Sequence, residues 1–175
     1  MIFFLIVYLV AAQTPCFSTT FRTGMKFEYN NGEGKLHLTL HVPKTIFLPY
    51  DWAGIGIKKI EDGLGMDKAD IVSIVFKKFV LDDRWARENG YPLSDEDLGG
   101  TFDTEKGPVK ALLDTETKVF SWKRPLDTKD DLDIKFEYGV KYYLLWAYGL
   151  LEGDDIGYHE DRDIEVFEMI DCSKI

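Results

Sequence analysis

The sequence predicts an all-β fold, an antiparallel sandwich of about nine short strands, and three observations predict it. The dominant hydropathy period is two. Turn chemistry recurs between the alternating runs. No internal repeat, low-complexity tract or heptad run interrupts them.

The clearest strand is Lys35-Leu36-His37-Leu38-Thr39-Leu40-His41-Val42, where apolar side chains fall on one face and polar ones on the other. Similar runs occupy residues 25–29, 52–57, 69–76, 109–113, 119–124, 133–138, 140–148 and 164–169. Gly- and Asn-rich turns such as Asn30-Asn31-Gly32-Glu33-Gly34, Glu61-Asp62-Gly63 and Tyr138-Gly139 separate them. Residues 82–107 break the rhythm, being polar, Gly-containing and rich in Asp and Glu. They read as a long surface connection. Trp85 and Tyr91 within it need apolar cover, so part of it should fold back on a sheet.

A chain of 175 residues with 45% hydrophobic content suits one globular domain with a full core, placed here at 13–175. Residues 1–12 form an apolar run ending in Val10-Ala11-Ala12, which reads as a cleaved secretory signal peptide. A bilayer-crossing helix needs about 20 apolar residues, and this run stops short at Gln13-Thr14-Pro15. The protein is therefore expected to be secreted, with no membrane insertion of the mature chain. Its net charge of −10 argues against nucleic acid and anionic membrane and favours basic or neutral partners. Cys16 and Cys172, an even pair in a secreted chain, are expected to form a disulfide. Two free thiols or a link to another chain are the alternatives.

Met66, in Gly63-Leu64-Gly65-Met66-Asp67, and His159, in Tyr158-His159-Glu160, supply the thioether and imidazole that hold both axial faces of a haem iron in electron-transfer cytochromes. Each residue alone also fits a structural role, a rim plug for Met66 and a hydrogen bond to a carboxylate for His159. His37 and His41 lie four residues apart on one strand, about 13 Å, too far to share a metal. Asp127, Asp130, Asp131 and Asp133 lack the Gly and closing Glu of an EF-hand loop. They are expected to shape a turn and to pair with Arg124, Lys123 or Lys129, while Asp82 and Asp83 are a further place for a cation. No nucleophile motif is present, so a stand-alone enzyme is not expected.

The chain resembles the DOMON family over about residues 25–171. The resemblance rests on Trp52-Ala53-Gly54-Ile55-Gly56-Ile57, Gly65-Met66-Asp67-Lys68-Ala69-Asp70, Asp83-Arg84-Trp85-Ala86, Trp122-Lys123-Arg124-Pro125-Leu126-Asp127-Thr128, Leu144-Leu145-Trp146-Ala147-Tyr148-Gly149 and Tyr158-His159. It implies an immunoglobulin-like sandwich. It also implies one of two functions. In haem-binding members a Met and a late His hold haem b at one end of the sandwich, roles that map to Met66 and His159, with Trp52, Tyr91, Trp146 and Tyr148 as aromatic cover. Such a module would carry single electrons to an extracellular redox partner. Members similar to the amino-terminal domains of copper monooxygenases bind no haem, and that branch implies a module for a small ligand, a sugar or another protein. In either case the domain is expected to act free-standing or through another polypeptide.

Overall fold

Alternating side chains build two antiparallel sheets in the computed structural model, which describes residues 14–107, 110–111 and 116–175. The strands are β1 (Phe17–Thr20), β2 (Lys26–Gly32), β3 (Lys35–Pro43), β4 (Trp52–Lys59), β5 (Asp70–Val75), β6 (Val80–Trp85), β7 (Leu93–Ser94), β8 (Glu105–Lys106), β9 (Lys110–Ala111), β10 (Thr117–Pro125), β11 (Lys141–Glu152) and β12 (Asp155–Glu168). Two single-turn helices, α1 (Lys44–Phe47) and α2 (Asp95–Leu98), complete the elements that matter here. The first sheet runs β1-β2-β3-β10-β8, with β9 also on β10; the second runs β12-β11-β4-β5-β6-β7.

The sheets stack as a sandwich. Leu36, Leu38, Leu40 and Val42 of β3 meet Ile55 and Ile57 of β4 and Leu144 and Trp146 of β11 in one buried core. Each such aliphatic side chain contributes about 1.5–3 kcal/mol when fully buried. The β2–β3 hairpin closes on Glu33 (φ 54°) and Gly34 (φ 75°), the two left-handed residues that a type I′ turn requires. The β11–β12 hairpin closes on Gly153-Asp154, with only Gly153 left-handed, and a bulge after Tyr148 then shifts the register. Cys16 and Cys172 form a disulfide with Cα atoms 5.4 Å apart, tying the segment before β1 to the segment after β12.

Twelve strands among the described residues, against about nine expected, reflect four strands outside the expected runs (β1, β6, β7 and β8) and one expected run that forms none. β6 lies at the start of what reads as a surface connection, and residues 133–138, which read as a strand, have none. Trp85 does fold back, packing on the main core. The expected strand at 109–113 falls mostly outside the described residues, as do residues 1–12, read as a signal peptide. Among the described residues no helix is long and apolar enough to cross a membrane.

Candidate functional site

Period-two alternation gives the second sheet an outer face whose middle is built from small residues. Ala53, Ile55 and Ile57 of β4 point into the core, so Trp52, Gly54, Gly56 and Lys58 point out. On the flanking strands Ile71 and Ser73 of β5 and Leu145 and Ala147 of β11 share that outer face. Both expected ligands lie on it. Met66 sits in the β4–β5 connection, which folds back over the sheet and packs the side chain against Ala69, Ile71, Ala86 and Leu145. The connection is held by Lys58, fully buried, whose Nζ donates to the Gly65 carbonyl at 3.4 Å and to Asp67 at 3.1 Å. Asn89 Oδ1 accepts from the backbone N–H groups of Met66 (2.7 Å) and Asp67 (3.2 Å).

His159 lies on β12 opposite Gly149. Its Nε2 accepts from Arg162 Nη1 at 2.7 Å, and its ring packs on Tyr158 with centroids 4.2 Å apart. Burial, and then the Arg162 charge, hold its pKa below the ordinary histidine value, so the imidazole is neutral near pH 7. Between Leu145, which touches Met66, and Gly149, which pairs with His159, β11 advances four residues, about 13 Å at the rise of a strand.

The donor chemistry and the shared face suit Met66 and His159 as residues that would hold a haem iron, with two local obstacles. Arg162 engages the ligating nitrogen. The Trp52 indole, 5% exposed, lies over Gly54 and packs with Val75, Ile156 and Ala147. The location also differs from the expected end of the sandwich. Trp146 and Tyr148, expected as ring cover, point into the core instead, because they alternate with Leu145 and Ala147. Of the four expected aromatics, Trp52 lies on the outer face. Tyr91, beside the outward-facing Arg84, has its hydroxyl 3.2 Å from the guanidinium.

A second polar constellation lies between the sheets, and sequence reasoning did not assemble it. Arg124 of β10, 3% exposed, points inward and pairs with Asp70 of β5 and with Asp133 at 3.1 Å. Asp83 of β6 and Asp95 of α2 face the same region, each 1% exposed. Asp83 Oδ2 accepts from the buried Thr104 hydroxyl at 2.7 Å. Burial first, then the neighbouring carboxylates, push Asp83 up to about 7 and Asp95 up to about 8. Asp133 rises to about 6 for the same two reasons. The signal that could have revealed this centre is parity: Asp70, Asp83 and Arg124 occupy inward positions of strands whose other inward residues are apolar.

The remaining expectations resolve simply. Lys129 pairs with Asp127 at 2.5 Å, and Asp130 accepts from the backbone N–H groups of Thr101 and Leu132, so these carboxylates do shape turns. His37 is exposed and His41 bonds Glu28 at 2.9 Å.

The fold is similar to that of the cytochrome b domain of pyranose dehydrogenase from Coprinopsis cinerea, with a TM-score of 0.58 and 8% sequence identity over 86% of this chain and 80% of that one. At that identity the likeness establishes the fold. No family model matches the sequence, and no curated protein does.

Proposed function

We propose that the protein is a secreted one-electron carrier of the DOMON type that binds haem b on the outer face of its second sheet, with Met66 and His159 as axial ligands. One observation carries the reading: both side chains stand on the outer face of the second sheet, Met66 beside Leu145 of β11 and His159 opposite Gly149 of the same strand. An iron with both axial positions filled by side chains exchanges single electrons and offers no open position to a substrate.

The chain's own residues have three tasks. His159 presents a neutral imidazole, the form that ligation requires. Arg162, whose guanidinium donates to Nε2, would have to release that nitrogen for it to hold the haem. Trp52 and Tyr91 give aromatic cover on the same face. The net charge of −10 favours a basic redox partner, with an association rate that falls as salt is added.

A second reading is favoured by Trp52. With its indole already packed over Gly54, the outer face is closed by protein, as expected of a haem-free module that holds a small ligand, a sugar or another extracellular protein. An absorption titration of the purified protein with hemin separates the two. A Soret band that saturates at one haem per chain, and shifts in both Met66→Ala and His159→Ala, supports the carrier. A colourless protein of unchanged stability supports the binding module.

A further inference from the structure

The acidic centre between the sheets places more negative charge than its single cation offsets. Asp70, Asp83 and Asp133 each offer an oxygen within 4.8 Å of the other two. Arg124 ion-pairs with Asp70 and Asp133, yet Asp83 Oδ1 and both oxygens of Asp95 have no hydrogen-bond partner and no exposure to water. Unpaired carboxylates in a protein interior are costly, and they persist only if they are protonated or if a cation is present. With four carboxylates and one guanidinium the formal charge is −4 + 1 = −3, and a divalent ion brings it to −1.

We propose that this centre is a calcium site, with Asp70, Asp83 and Asp133 as carboxylate ligands and Asp95 closing the shell. The ligand set is all oxygen, which excludes the thiolate and imidazole chemistry that selects zinc or copper. The number of carboxylates selects among hard cations. Calcium takes about six to eight oxygens, several of them carboxylate, whereas magnesium keeps several waters and binds through one or two carboxylates. Three carboxylates clustered together, with Asp95 facing them, match calcium. Asp70 uses Oδ2 toward Arg124 and the Ile134 N–H, which leaves Oδ1 for the metal. An open cavity lined by acidic residues and by Lys59, Lys68, Lys129 and Lys135 borders the centre at Asp133. The site lies on the core side of the sheet from Met66 and His159, so the inference is independent of haem binding.

The test uses the secreted chain stripped with EDTA at pH 7.5. Calorimetric titration with calcium chloride is expected to give one ion per chain. Terbium bound in its place is expected to luminesce on excitation of tryptophan, Trp85 being the cross-strand partner of Asp70, and to be displaced by calcium. At calcium one hundred times its dissociation constant the unfolding midpoint should rise by roughly 5–10 °C. Asp83→Asn and Asp95→Asn should each lose that rise, while the exposed control Asp154→Asn in the β11–β12 turn keeps it. The absence of both calorimetric binding and a midpoint shift in the wild-type protein overturns the proposal, as does an unchanged calcium response in both Asn variants. If a variant does not fold, the wild-type titration decides alone. The hemin titration of the same preparation reads the outer face separately.

Discussion

The two faces of the second sheet hold opposite kinds of chemistry. Outside, a thioether and a neutral imidazole stand over glycine and alanine; inside, four carboxylates surround one guanidinium. Soft and borderline donors suit a transition metal, and hard oxygens suit calcium. The difference also separates energetics from chemistry. The inner centre is wired into the fold through Arg124, which reaches from β10 in the first sheet to Asp70 in the second, so disturbing it disturbs the sandwich. Met66 and His159 are half-buried on a surface, outside the core between the sheets.

The disulfide tests both faces at once. Cys16–Cys172 closes a loop of 156 residue steps, for which the chain-entropy model gives about 5 kcal/mol. Cys16→Ser with Cys172→Ser should lower denaturant stability by up to that amount. β12, which carries His159, loses its tie to the first sheet, so hydrogen exchange should rise more on β12 than on β5 and β6. Equal increases would mean that the two regions are not separable. Next in size is Arg124→Met. Removing the guanidinium leaves Asp70 and Asp133 buried without a cation, a loss of about 3–5 kcal/mol in calcium-free urea unfolding. Saturating calcium should recover part of it. A loss below 1 kcal/mol would show that the carboxylates are already neutral and that the inner centre is not held by charge.

The pH dependence gives the two faces opposite signs. Asp83 and Asp95 titrate near 7 and 8 when folded and near 3.8 when unfolded. Across that window the folded chain holds more protons than the unfolded one, so stability in EDTA falls as pH rises from about 4 to 8. The groups facing them are Asp70, Asp133, Asp130, Arg124 and Thr104. His159 works the other way. Its folded pKa lies below the ordinary value, so protonation favours the unfolded chain and its share of stability is lost as pH falls below about 6.5. The inner centre should dominate, since two buried groups oppose one half-exposed ring. Unfolding midpoints from pH 5 to 8.5 should therefore decline in EDTA and stay flat in calcium.

Much of the fold was legible because alternation was clean where strands bury only apolar residues, as in β3 and β11. It failed where the interior is polar. β6 reads as Val-Leu-Asp-Asp-Arg-Trp, and the inward Asp83 that disguises it belongs to the acidic centre. Residues 133–138 carry an alternating pattern, yet their backbone is committed elsewhere: the Ile134 N–H donates to Asp70, and the Tyr142 hydroxyl takes the Glu137 N–H and donates to the Lys135 carbonyl. Met66 and His159 were legible as a pair of donor types. Their common face was not, because it depends on the β4–β5 connection folding outward over Gly56 and on the bulge after Tyr148. The four acidic ligands are spread from 70 to 133, a separation that no local spacing rule covers.

The smallest expected effect is the most discriminating. Met66→Leu keeps volume and hydrophobicity against Ala69, Ile71, Ala86 and Leu145, so the apoprotein should lose less than about 1.5 kcal/mol. Leucine has no lone pair. If sulfur completes the iron's coordination, the variant should retain hemin through His159 while its spectrum changes from a six-coordinate to a five-coordinate form. Calcium binding inside the sandwich should be unaffected. A variant whose hemin spectrum matches the wild type would remove Met66 from the ligand set and leave His159 as the sole protein donor on that face. The protein would then be a haem site with an open coordination position, a different chemistry built on the same sheet.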